Sequence, residues 1–169
     1  SALETINSLD ARMFYRQDTD YGTFGLNVEW THTLKHEYQL EAGGDIIDIR
    51  DDPIQGGWNF RSIVSAQLSY RYEDFTTTLS GVRRGGTERY RAPNDDGEWR
   101  TSAYTTYNLT ASYFVNEQLT LSARIINLTS ADAPKDDSFL FFDYPWYNRF
   151  VYPASALGRQ VYLEATYEF

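Results

Sequence analysis

From Val161 to Phe169 every second residue is apolar: Val161, Leu163, Ala165, Tyr167 and Phe169 alternate with Tyr162, Glu164, Thr166 and Glu168. A period of two is the pattern of a strand with one apolar and one polar face. It constrains the fold more than any other feature, because it recurs along the chain while helical periodicity hardly appears. Leu9, Ala11, Met13 and Tyr15 share a phase in a strand over Leu9–Gln17. Phe24, Leu26, Val28 and Trp30 share one in a strand from Thr23 to about Glu41, and Ala66, Leu68, Tyr70 and Tyr72 in one over Trp58–Tyr72. A fourth strand starts at Phe75 and runs through Leu79 towards Tyr90. Tyr107, Leu109, Ala111, Tyr113 and Val115 mark a fifth over Tyr104–Val115; Leu119, Leu121, Ala123 and Ile125 mark a sixth over Gln118–Leu128. With the last strand these make about seven, so the expected fold is all-β, an antiparallel up-and-down meander.

The connections alternate in length. Short polar turns near Asp18, Glu73 and Asn116 alternate with long loops near Asp48, Asp95 and Phe142. In a meander this puts all short turns at one end and all long loops at the other, the asymmetry of an outer-membrane β-barrel. The strands also reach the roughly 9–11 residues that cross a bilayer at a tilt. The polar phase carries Arg12, Arg16, Glu29, Gln67, Arg71, Ser112, Arg124, Glu164 and Glu168. Charges of that kind need water or a polar partner, whereas the apolar phase needs lipid or a core. An apolar exterior around a wet lumen satisfies both, as in a wide barrel. Leu26, Leu68, Leu109, Leu121 and Leu163 are then expected to face lipid, and an arginine at Leu121 to cost about 2–4 kcal/mol if that position is near the bilayer midplane.

A strand ending in Phe169, with Val161, Leu163, Ala165 and Tyr167 at alternate positions before it, resembles the C-terminal assembly signal of bacterial outer-membrane barrels. The block NLTASYFVNEQLTLSARIINLTSADAP, the long aromatic loop after it and GRQVYLEATYEF together resemble the C-terminal end of TonB-dependent receptors. Asn127-Leu128 and Gly158-Arg159 carry the likeness, and LDARMFYRQDTDYGTFGLNVEW extends it upstream. The resemblance implies that residues 1–169 are the C-terminal strands of a 22-stranded barrel, without the plug domain. It further implies energised uptake of a siderophore, cobalamin, sugar or peptide across the bacterial outer membrane. The implied partners are outer-membrane lipid and lipopolysaccharide, the barrel-assembly machinery, the plug and earlier strands of the receptor, and TonB through the absent N-terminal part.

Other classes fit less well. There is no cysteine, which removes disulfide scaffolds, zinc fingers and thiol catalysis, and a net charge of −9 argues against nucleic acid. No apolar run is long enough for a transmembrane helix. The opening SALETINS lacks the basic and apolar regions of a signal peptide and the initiator Met, which suggests a processed or excised piece. A mean hydropathy of −0.55 would by itself suggest a soluble domain. A soluble carbohydrate-binding β-sheet module and a small self-contained outer-membrane barrel therefore stand as alternatives. No hydrolase, metalloprotease or nucleotide motif occurs, and Glu164 and Glu168, about 13 Å apart along a strand, are too distant for a glycosidase pair. No enzyme activity and no cofactor are expected.

Binding candidates lie in the loops. Phe141, Phe142, Tyr144, Trp146, Tyr147, Arg149 and Tyr152 form an aromatic segment suited to stacking on a sugar or siderophore, or to an interfacial girdle. Arg83, Arg84, Arg89 and Arg91 suit lipopolysaccharide phosphates, an anionic substrate or nearby acidic loops. The acidic groups Asp45/Asp48/Asp51/Asp52, Asp95-Asp96 and Asp136-Asp137 read as solvated loops rather than calcium sites. His32 and His36, four apart, are expected on one strand face about 13 Å from each other, too far for one metal ion, so no metal site is expected.

Overall fold

The computed structural model describes residues 2–49, 60–87, 89, 100–136, 147, 151–152 and 158–169. They form one antiparallel sheet of eight strands: β1 (Leu3–Thr19), β2 (Gly22–Gln39), β3 (Ile46–Asp48), β4 (Ser62–Tyr72), β5 (Phe75–Arg84), β6 (Tyr104–Phe114), β7 (Leu119–Ile126) and β8 (Gln160–Tyr167). The order β1-β2-β4-β5-β6-β7-β8 follows the chain, and β3 hangs off β2. The sheet is open, with β1 and β8 as its edges.

Seven of the eight strands are the expected ones. The eighth, β3, lies in a segment that reads as a loop; Ile46–Asp48 pairs with Glu37, Tyr38 and Gln39 of β2. β1 starts six residues earlier than its alternation suggests, because its hairpin with β2 runs to Leu3↔Gln39. β4 begins at Ser62 and β5 stops at Arg84, short of the expected limits, and Trp58 and Tyr90 lie outside the described residues.

The register lines up the phases of neighbouring strands. One row across the sheet reads Tyr15, Leu26, Leu68, Leu79, Leu109, Ile125 and Val161, each directly opposite the next. Directly opposed residues share a face, so the seven separate stripes merge into one apolar surface. Short connections close β1–β2, β4–β5 and β6–β7 at one end. The β4–β5 turn has two residues, and Glu73 takes the left-handed φ of 48° that such hairpin turns favour. In the last of these turns Asn116 Oδ1 accepts from the backbone N–H of Gln118 and Leu119. The long connections lie at the opposite end.

One irregularity changes a side-chain direction. Ser8 faces Thr33 and Asn7 faces Lys35, so Leu34 is an extra residue in β2. Such a bulge inverts the in–out alternation beyond it. His32 opposes Leu9 and His36 opposes Ile6, three residues apart on unbulged β1. The two histidines therefore lie on opposite faces of the sheet, contrary to the expectation that their spacing keeps them together.

Candidate functional site

Among the described residues the apolar face carries no buried side chain. Leu163 is 81% exposed, and Met13, Tyr15, Phe24, Leu68, Tyr107, Tyr113, Leu121 and Val161 are exposed too. Leaving one Leu, Val or Phe side chain uncovered forgoes about 1.5–3 kcal/mol, so an entire face of them demands a cover. From Tyr72 to Val64 the band spans eight residue steps on β4, about 27 Å along the strand and roughly 20 Å in height at a barrel tilt, near the apolar band of about 25 Å.

Several polar atoms on this face are engaged. Thr77 Oγ1 donates to the Thr110 carbonyl at 2.9 Å, and Trp30 Nε1 to Ser62 Oγ at 3.0 Å. Two tyrosine rings on this face send their hydroxyls towards the short turns: Tyr70 donates to the Tyr21 carbonyl at 2.7 Å and Tyr167 to Gln118 Oε1 at 3.2 Å. Apolar rings with polar tips at one margin are the arrangement of an interfacial girdle. At Gly81 the Tyr107 ring lies where a Cβ would sit, 3.0 Å from its ring carbons, so the missing side chain is covered by an aromatic neighbour.

The opposite face is a wall of short hydroxyls. Ser69, Thr78 and Thr110 follow one another in one row, and Thr76, Ser112 and Ser122 in the next. Arg16 and Arg71 flank them on one side, Arg124, Tyr162 and Glu164 on the other. Thr76, Thr78, Thr110, Ser112, Arg124 and Glu164 share one concavity. The Arg12–Glu29 pair, 2.9 Å and largely exposed, adds little stability. Short neutral donors and acceptors beside separated cations suit a hydrated surface or a polar partner. Of these hydroxyls sequence reading singled out only Ser112; the runs TTTLS, NLTAS and LTLSA hold the signal, but only the register assembles them.

At the loop end of this polar face the protein builds its one core among the described residues. Tyr104, Tyr147 and Tyr152 are buried, with Phe60, Ala131, Ala133 and Val151 packed around them. Tyr152 meets Tyr104 edge-on at 5.3 Å and Phe60 at 5.7 Å. Its hydroxyl lies 3.3 Å from Thr101 Oγ1, which accepts from the Thr87 backbone N–H at 2.9 Å. Burial raises the Tyr152 phenol above its ordinary range, and the hydrogen bonds to Thr101 and Thr87 partly offset this. The Arg84 guanidinium lies over the Phe60 ring at 5.9 Å. Gly86 permits this closure: a Cβ there would fall 2.0 Å from the Thr101 carbonyl oxygen.

Beside the core, Asn127 is fully buried with a left-handed φ of 53°. Its Nδ2 donates to the Ala131 carbonyl at 2.8 Å, and its Oδ1 accepts from Ala131 N–H at 2.9 Å. Its own N–H donates to Asn108 Oδ1 at 3.0 Å. One side chain thus stops β7 and folds the start of the loop. His36, also buried, sits 2.6 Å from Glu4 Oε1.

Of the expected loop residues, Tyr147 and Tyr152 are placed in this core, with their rings against protein; Phe141, Phe142, Tyr144, Trp146 and Arg149 lie outside the described residues. The arginine group divides. Arg83 faces out with the apolar band, Arg84 faces in, Arg89 is buried, and Arg91 lies outside the described residues. Asp136, expected in a solvated loop, is buried close enough to Tyr152 to oppose its ionisation. Asp45 and Asp48 are exposed, the latter within β3, and Asp51, Asp52, Asp95, Asp96 and Asp137 lie outside the described residues. Val161, Leu163 and Tyr167 lie on the outer face of β8, and Phe169 stacks edge-on against Tyr167 at 5.2 Å.

No family model and no curated protein matches the chain. Among solved structures it is similar to a mutant of the ferric enterobactin receptor from Pseudomonas aeruginosa, with 14% identity and a TM-score of 0.48 over 98% of this chain. The chain spans 31% of that receptor's length.

Proposed function

We propose that this chain is a late-barrel segment of a TonB-dependent receptor in a bacterial outer membrane, where it forms part of the wall of a nutrient-uptake pore. The observation that carries the reading is the division of the sheet. A continuous apolar face is left bare, while the protein's own core forms on the other side. Three features support it: the band height, the tyrosine hydroxyls at its margin, and the sorting of short turns and long connections to opposite ends. The open edges β1 and β8 are where further strands of a wide barrel would pair, since lipid tolerates no unpaired backbone. The hydroxyl wall faces the lumen, where a plug and the imported siderophore, cobalamin, sugar or peptide would meet it. The apolar phase of Val161, Leu163, Tyr167 and Phe169 would serve as the mark for the assembly machinery.

These 169 residues hold no cysteine, so single labels can be introduced within them. Spin labels are placed at Leu79→Cys and Thr78→Cys, neighbours on opposite faces, in the intact protein reconstituted in bilayers. The Leu79 label should relax with dissolved oxygen and the Thr78 label with a water-soluble nickel chelate. Equal access of the nickel chelate to both positions refutes the reading and favours a soluble sheet.

A further inference from the structure

On the polar face some oppositely charged neighbours pair: Arg12 meets Glu29 at 2.9 Å and Arg16 meets Asp18 at 3.2 Å. Arg124 on β7 and Glu164 on β8 do not. They are diagonal neighbours, because Arg124 opposes Tyr162 while Ser122 opposes Glu164. That register sets them about 7–8 Å apart, within reach of each other. Both are exposed, and among the described residues they form no ion pair. Glu164 Oε1 accepts from the Thr166 hydroxyl at 3.3 Å. Tyr162 stands beside both charges and is 52% exposed. Its hydroxyl donates to Gln160 Oε1 at 3.0 Å, so the ring leans along β8 instead of standing off it. Among the described residues no other ring or cation touches it. Thr110, Ser122, Arg124, Tyr162 and Glu164 line one concavity.

We infer that this patch, Tyr162 with Arg124 and Glu164 at its edge, binds the ring of a neutral sugar, and that the imported nutrient is a carbohydrate. The inference rests on the barrel reading of the preceding section, in which this face looks into the lumen. The two charges decide the ligand class. An anion would satisfy Arg124 and be repelled by Glu164, and a cation would do the reverse. A ligand without charge but rich in hydroxyls satisfies both, since a hydroxyl donates to the carboxylate and accepts from the guanidinium. The planar fork of Arg124 suits two adjacent hydroxyls. The exposed face of Tyr162 takes the apolar C–H side of the sugar ring, while its own hydroxyl stays satisfied by Gln160. Thr110 and Ser122 are short enough to leave room above the sheet, and their hydroxyls add donors and acceptors.

The test applies the intact protein, in neutral detergent, to an array of neutral and acidic oligosaccharides and titrates the binders by calorimetry. Neutral oligosaccharides should bind in preference to acidic ones. Tyr162→Ala should weaken the neutral binder about tenfold, the scale of one aromatic contact, whereas Tyr162→Phe keeps the ring and should retain most of the affinity. Arg124→Gln and Glu164→Gln should each weaken it about tenfold, the scale of one charge-assisted hydrogen bond. Arg83→Gln removes a charge from the outer face and should leave affinity in place. Retention of no neutral oligosaccharide, equal affinity of Tyr162→Ala and the parent, or an equal loss in Arg83→Gln overturns the site. A loss in Arg124→Gln with a gain in Glu164→Gln is the signature of an anion site and overturns the sugar assignment. The Leu79 label separates the two readings. A label in lipid with no neutral sugar bound removes only this inference; a label in water removes the barrel and, with it, the sugar as cargo.

Discussion

Seven tyrosines divide between two regions of the molecule. Tyr72, Tyr107, Tyr113 and Tyr167 lie on the apolar face and are exposed, whereas Tyr104, Tyr147 and Tyr152, at the loop end of the polar face, are buried. The residue type is the same, and so is the hydrophobic drive on each ring. What differs is whether protein is there to cover it. The chain folds its connections inward over the polar face and sends none of its described residues across the apolar one. A soluble sheet spends its connections the other way, sealing the face that water penalises most. The contrast locates the missing cover outside the described residues, where the proposed function puts lipid.

The largest expected effect tests the middle of the bare face. Leu109 sits in the central row with Leu79 and Ile125, so Leu109→Arg should destabilise the bilayer-embedded protein by about 2–4 kcal/mol, measured by urea titration in vesicles. Leu121 opposes Tyr113, which in turn opposes Phe75, so it lies in an aromatic row towards the short turns. Arginine there should cost only about 0–1 kcal/mol. A neutral result at Leu109 breaks the comparison; equal costs at both positions show that the band is placed at the wrong height.

The next effect tests the covered region. Asn127→Ala removes two hydrogen bonds from a fully buried side chain and should cost about 2 kcal/mol, read as faster proteolysis of the β7–β8 connection with the outer face unaltered. A smaller effect in this region comes from Tyr152→Phe, which removes a hydroxyl whose contacts are worth about 1 kcal/mol. This substitution also sharpens the comparison by pH. The Tyr152 phenol is raised by burial, so its contribution is complete below the unfolded value near 10 and is lost as pH rises through the higher folded value. Alkaline pH should loosen the loop-end core in the parent and less so in the phenylalanine variant, monitored by near-ultraviolet dichroism.

The regions differ equally in how far they can be read from sequence. The apolar face was legible because each strand carries its own period, so that Leu68, Leu109 and Leu163 could be phased without knowing their partners. The loop-end core was not, because Phe60, Tyr104 and Tyr152 are joined across more than ninety positions of chain and no local pattern predicts that meeting. The same holds for β3, whose three residues gain their strand character only from β2. The start of β1 was hidden because LETINS does not alternate cleanly. The separation of Arg83 from Arg84 was latent in the phase set by Leu79, but a run of basic residues reads as a cluster until its strand is drawn.

The extra residue at Leu34 has one more consequence. Beneath it, even-numbered positions of β2 look outward with Leu26 and Val28; above it, odd-numbered Lys35 and Glu37 do, joined by an ion pair of 2.8 Å. A single insertion thus switches one ribbon from a dress code for oil to one for brine, at the height where a membrane would give way to the medium outside.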